Sequence, residues 1–146
     1  MKKFVALFVF FLSLLSVNAK EISWNEELNM FLEGFKEESK DIEQEFTSLG
    51  IDAKVSCGYI EAKKQIYIDV RFKEAIWNLF NEPLMKEAKE DMLKEYKESY
   101  RTDKDFATFI NDMKSYNYTF LISYSTLKNG KVESKDFTIT PQEIIN

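Results

Sequence analysis

The side chains able to do chemistry in this chain are carboxylates, amines, guanidinium groups, hydroxyls and one thiol. Its 146 residues include no histidine and a single cysteine, Cys57. That removes Ser-His-Asp and Cys-His catalysis, histidine zinc sites and histidine proton shuttles. It also removes thiolate zinc sites and Cys-x-x-Cys redox chemistry. No Walker loop and no Gly-x-Gly-x-x-Gly element occurs, so nucleotide cradles of those kinds are absent. Paired acids remain: Glu37 with Glu38, Asp41 with Glu45, and Glu87 with Asp91. Glycoside chemistry needs two acids facing each other across a cleft, and calcium needs many oxygens converging from a turning loop. These pairs stand at helical spacing instead and read as a solvated helix face. No catalytic residue, metal ligand or cofactor is therefore assigned.

Binding is better served than catalysis. Tyr67, Asp69 and Arg71 alternate along a period-two run, and Lys54 and Ser56 share their face on the preceding run. Thr119, Ser123, Asp136 and Thr138 take the equivalent face further along. A sheet covered by helices on one side leaves its other side wet, so Tyr67, Asp69 and Arg71 form one candidate site for a protein or small ligand. A second candidate is tyrosine-rich: Tyr96 and Tyr100, with Tyr116, Tyr118 and Tyr124 nearby in sequence. Tyrosine brings apolar area with a polar tip and is favoured at interfaces. The ordinary alternatives are solvated outward residues for the first group and core packing for the second. Asn117-Tyr118-Thr119 also matches the N-glycosylation pattern, a three-residue match that arises often by chance.

The elements that must hold these residues are legible from periodicity. Ser23-Trp24-Asn25-Glu26 fits a capping box. Trp24, Leu28, Phe31, Phe35, Ile42, Phe46 and Leu49 then recur as one apolar stripe of a long helix, with Glu27 and Glu43 among the charged residues mostly off it. Gly50 suits the left-handed position that ends such a helix. From Ile51 to Phe72 the period changes to two. Ala53, Val55, Cys57 and Tyr59 can face Phe72, Val70, Ile68 and Ile66 across a turn near Glu61 to Lys64. Cys57 falls on the apolar side, as a buried small hydrophobe.

Ile76, Trp77 and Phe80 mark a short helical turn, and Pro83 opens a further helix bearing Met92, Leu93, Tyr96 and Tyr100. A third piece restarts at Thr102 or Asp103 with Phe106, Phe109, Ile110 and Met113. Asn129-Gly130 is the preferred pair for a two-residue hairpin turn. It sets Leu127 opposite Val132, Ile122 opposite Phe137 and Phe120 opposite Ile139. The expected architecture is α+β: helices packed on one face of an antiparallel sheet of about four strands, in the order helix, hairpin, helices, hairpin. A duplicated helix–hairpin unit fits that order, although no residue motif repeats. The outline is similar to cystatin-like, NTF2-like and tandem αββ inhibitor folds. It shares no motif with them, so the likeness carries no function.

Residues 1–19 address the chain. Lys2 and Lys3 precede an apolar run from Phe4 to Leu15, and Val17-Asn18-Ala19 offers small residues before Lys20. That is the pattern of a cleavable signal peptide, too short before its polar end for a stable membrane span. No cysteine lies near the cut, so a lipid-modified N-terminus is not expected. A single domain over 20–146 follows, secreted or periplasmic. Losing Lys2 and Lys3 takes the formal charge from −5 to −7. Such a balance repels phosphate backbones, and nucleic-acid binding is not expected. The expected function is an exported binding or interaction module for a protein or small ligand. A carboxylate-dependent hydrolase-like enzyme or a structural envelope-associated protein is the alternative.

Overall fold

A computed structural model describes residues 22–146; the expected signal peptide lies outside the described residues. Helix α1, Trp24–Ser48, begins at the anticipated capping box: Ser23 Oγ accepts from the Glu26 N–H, and Glu26 accepts from the Ser23 N–H. Gly50, at φ 75°, follows its end. Seven turns of helix are worth having because one face is apolar. Trp24, Leu28, Phe31, Phe35, Ile42 and Phe46 are all buried. Leu49, expected on that stripe, is instead 56 % exposed, because the helix stops before it.

Strand β1, Ala53–Ile60, and strand β2, Gln65–Phe72, are joined by a short 3-10 turn, Glu61–Lys63. Their register pairs Ala53 with Phe72, Val55 with Val70, Cys57 with Ile68 and Tyr59 with Ile66, as periodicity requires. A single helical turn, α2 (Glu74–Trp77), leads to α3 (Glu82–Thr102) and α4 (Lys104–Ser115). Asn81 and Asp103 cap the last two. Strands β3, Thr119–Lys128, and β4, Lys131–Ile139, follow, with Phe120 opposite Ile139, Ile122 opposite Phe137 and Leu127 opposite Val132.

The sheet order is β1-β2-β3-β4, but β2 and β3 run parallel. The expected antiparallel sheet is thus a mixed one. The physical reason is the route between the hairpins. Helix α3 has 21 residues, roughly 31 Å at its helical rise. That is long enough to span an eight-residue strand, and α3 with the following α4 brings the chain back to the end where β2 began. Strand β3 then starts beside Gln65, and the Thr119 N–H bonds the Lys64 carbonyl.

A fifth helix, α5 (Pro141–Ile145), closes the described chain with its own capping box between Thr140 and Glu143. Its Ile144 is 1 % exposed, and Lys89 of α3 reaches Glu143 at 2.9 Å. All the helices that bury apolar residues do so on one face of the sheet. There Ile66, Ile68, Val70, Phe72, Phe120, Ile122, Tyr124 and Ile139 meet the α1 stripe and Phe106, Phe109, Ile110 and Met113 of α4. Cys57 lies half-buried against this core, and burial pushes its thiol up to about 12. It is a poor nucleophile there.

Candidate functional site

The other face of the sheet carries the alternate residues of every strand. Register brings them into rows. Ser56, Asp69, Ser123 and Asp136 stand in one row, and Lys54, Arg71, Ser125 and Ser134 in the next. Side chains on one face of neighbouring strands are close enough to bond within a row or on the diagonal, and they do. The Ser125 hydroxyl donates to Asp69 Oδ2 at 3.0 Å, and Arg71 Nε donates to Ser125 Oγ at 3.3 Å. Arg71 Nη2 lies 3.7 Å from the same Asp69 oxygen. The Ser134 hydroxyl donates to Asp136 Oδ2 at 3.2 Å.

Burial differs sharply within this cluster. Ser125 is 2 % exposed although it stands on the uncovered face, while the Arg71 side chain remains 46 % exposed. Asp69 Oδ1 is enclosed and has no hydrogen-bond partner. An enclosed acceptor without a donor costs about 1–3 kcal/mol, so the cluster is one donor short. Tyr67, one row away, lies across Gly58: a Cβ added there would come within 2.6 Å of the tyrosine oxygen and 2.7 Å of its ring carbons. Glycine at this position is what lets the ring settle on the strand.

Tyr67, Asp69 and Arg71 therefore do share one face, and the structure adds Ser125, which sequence reasoning did not include. Its signal is the parallel β2–β3 register, and that register was not legible in advance. The tyrosine group behaves differently. Tyr96 is 1 % exposed and packs on Phe106 and Phe120 at 5.7 and 5.5 Å, with its hydroxyl pKa raised by burial. Tyr118 and Tyr124 are also buried. Tyr100 is half-buried and donates to Asn111 Oδ1 at 3.2 Å. Tyr116 is exposed but stacked on Trp24 at 5.2 Å. No continuous tyrosine surface forms, because the apolar stripe of α3 turns Tyr96 into the core along with Met92.

Charged side chains guard both edges of the sheet, one by bonding the backbone and one by pointing inward. At β1 the Val55 N–H donates to Glu43 Oε1 at 3.0 Å, and Glu43 Oε2 holds Lys54 at 3.3 Å. At β4, Lys135 turns toward the helices, lies over the Trp77 ring at 4.5 Å and donates to the Phe80 carbonyl. A side chain that takes up an edge N–H and an inward-pointing charge on an edge strand are both standard defences against strand addition. Beyond the polar rows the open face ends in an apolar pair, Leu127 and Val132, 57 % and 56 % exposed.

Other surfaces offer less. An open depression along α3 is lined, among the described residues, by that helix alone, from Glu90 to Arg101. Among the described residues no group of three or more His, Cys, Asp or Glu is placed to hold a metal ion. No described helix is long and apolar enough to cross a membrane. Compared with known proteins, the chain matches no family model, and no curated protein or solved structure is significantly similar to it.

Proposed function

We propose that the chain is an exported binding module that takes its partner, a protein or small ligand, on the open face of the sheet around Tyr67, Asp69 and Arg71. The observation that carries this reading is the fixed Asp69–Ser125–Arg71 set on an uncovered face, with the Arg71 side chain 46 % exposed. A pre-ordered polar cluster beside exposed apolar residues is the composition of a recognition surface. The guarded edges speak against recognition by strand addition and leave the face as the accessible part of the sheet. Arg71 supplies the anchor, a guanidinium on a side chain that is 46 % exposed.

Carboxylate catalysis has one observation in its favour. Burial and the neighbouring Asp112 push the Glu27 carboxyl up to about 7, suitable for a general acid. Glu27 is only 8 % exposed, however, and a substrate has no direct approach to it. Binding is the better-supported reading.

The test compares the wild-type chain with Arg71→Glu and, as a control on a distant helix, Glu98→Lys. Each is recovered from its exported fraction, sequenced to begin at Lys20, and immobilised to capture what binds in its own compartment. A ligand held by wild type and the control, and weakened about tenfold or more by Arg71→Glu, supports the reading. Equal capture by all three places recognition elsewhere and overturns it, and so does capture of nothing.

A further inference from the structure

Where the first turns of α1 meet the end of α4, two carboxyl groups come together. Glu27 shares the buried stripe of α1 with Trp24, Leu28 and Phe31, and is itself 8 % exposed. Asp112, half-buried near the last turn of α4, lies between Phe109 and Tyr116, the residues that meet Trp24 and Phe31 of α1, and its charge and hydrogen bonding act on the Glu27 carboxyl. Rings fasten the two helices at the same place. Trp24 meets Phe109 at 5.6 Å and stacks on Tyr116 at 5.2 Å, while Phe31 stacks on Phe109 at 5.1 Å.

No described cation pairs with either carboxyl. Among the described residues no ion pair reaches Glu27 or Asp112. Lys64, the cation that touches this cluster of rings, lies over Tyr118 at 5.3 Å. Glu26, on the same turn as Glu27, is engaged with the Ser23 N–H. Asp112 also sits near the carbonyl end of α4, where the helix dipole disfavours negative charge. An ionised carboxylate only accepts hydrogen bonds. Two carboxyls brought together at an enclosed corner therefore favour the form in which one proton is kept on Glu27 and can be shared.

We propose that Glu27 and Asp112 form a proton-operated clasp between α1 and α4, closed while they share a proton and loosened when it is lost to solvent. Burial first, and then the charge and hydrogen bond of Asp112, push the Glu27 carboxyl up from an ordinary 4.5 to about 7. The folded chain thus keeps a proton that the unfolded chain gives up earlier. Native stability from this pair is greatest below 4.5, declines as pH rises between 4.5 and 7, and stays low above that. Trp24 favours the loosening, since its indole N–H is enclosed without a hydrogen-bond partner and gains one from water when the corner opens.

The experiment is thermal unfolding of wild type, Glu27→Gln and Asp112→Asn at pH 5.5, 7.0 and 8.5, with amide exchange read at residues 24–31 and 109–115. Wild type should lose about 5 °C more than either variant between pH 5.5 and 8.5. Exchange at the two segments, corrected for its intrinsic pH dependence, should speed up about tenfold in wild type and stay level in Glu27→Gln. The double variant should gain nothing over the singles, because either change removes the same repulsion. Parallel pH profiles for wild type and Glu27→Gln overturn the clasp, as does exchange at the two segments that ignores pH in wild type. If Glu27→Gln fails to fold, Asp112→Asn carries the same comparison.

Discussion

Between β1 and β2 the chain turns through Glu61–Lys63 and a left-handed Lys64 at φ 52°, whereas between β3 and β4 it turns through Asn129 and Gly130 at φ 51° and 73°. The first hairpin is covered along its length. Ile66, Ile68, Val70 and Phe72 are all buried on β2, and Glu43 clamps the outer edge of β1. At the tip of the second hairpin the pair Leu127 and Val132 lies on the open face, which no described helix covers, and stands in solvent. Register in the first is therefore fixed by burial despite a turn of unfavourable composition. Register in the second is fixed at its tip by turn chemistry, where burial gives no help. One fold uses both devices, each where the other is weakest.

Three sets of substitutions sharpen this contrast. The largest effect belongs to the burial side. Ile68→Ala should cost about 3–4 kcal/mol, and Leu127→Ala less than about 0.5 kcal/mol, read from urea midpoints at constant slope. A comparable cost at Leu127 would mean that the tip is covered by another molecule. Next comes the open face of the first hairpin. Gly58→Ala drives a Cβ into the Tyr67 ring and should cost about 1–3 kcal/mol. In a Tyr67→Ala background most of that cost should vanish, a coupling a double-mutant cycle reads directly. Equal cost in both backgrounds would show that the ring does not lie across the glycine.

The turns themselves give the smallest effects, and of opposite sign. Gly130→Ala forces a side chain into the left-handed region and should cost about 1–2 kcal/mol, with fraying confined to the tip. Lys64→Gly relieves that same strain and should gain about 0.5 kcal/mol after the entropy that glycine loses on folding. If both substitutions destabilise, Lys64 is held by more than its backbone conformation. The cation–π contact with Tyr118 would then be the source to examine.

Much of this was legible in the residues. The α1 cap, its apolar stripe and both hairpin registers follow from local periods of 3.6 and 2, which depend on near neighbours. The parallel join between β2 and β3 was not. Ile66, Ile68 and Val70 would match Phe120, Ile122 and Tyr124 in either direction, and the path of the helices α2 to α4 between them decides which end of β2 receives β3. Ser125 was missed for the same reason, since it meets Arg71 through that join. Glu43 and Glu27 read as lying mostly off the apolar stripe because helical periodicity describes one helix at a time, whereas their partners lie on β1 and α4. Tyr96 was considered for an interface, yet its spacing from Met92 already placed both on the same side of α3.

The parallel join also imposes a timetable on synthesis. Arg71 and its partner Ser125 are 54 residues apart, so a chain growing at about 5–20 residues per second completes β2 several seconds before β3 exists. During that interval the inner margin of β2 lacks its permanent neighbour while Ile66, Ile68, Val70 and Phe72 are already made. Glu43 and α1 can cover the outer margin at once, being earlier in the chain. The nascent protein is consequently half-protected. Its hazard lies at the centre of the finished sheet, where the mature molecule is safest.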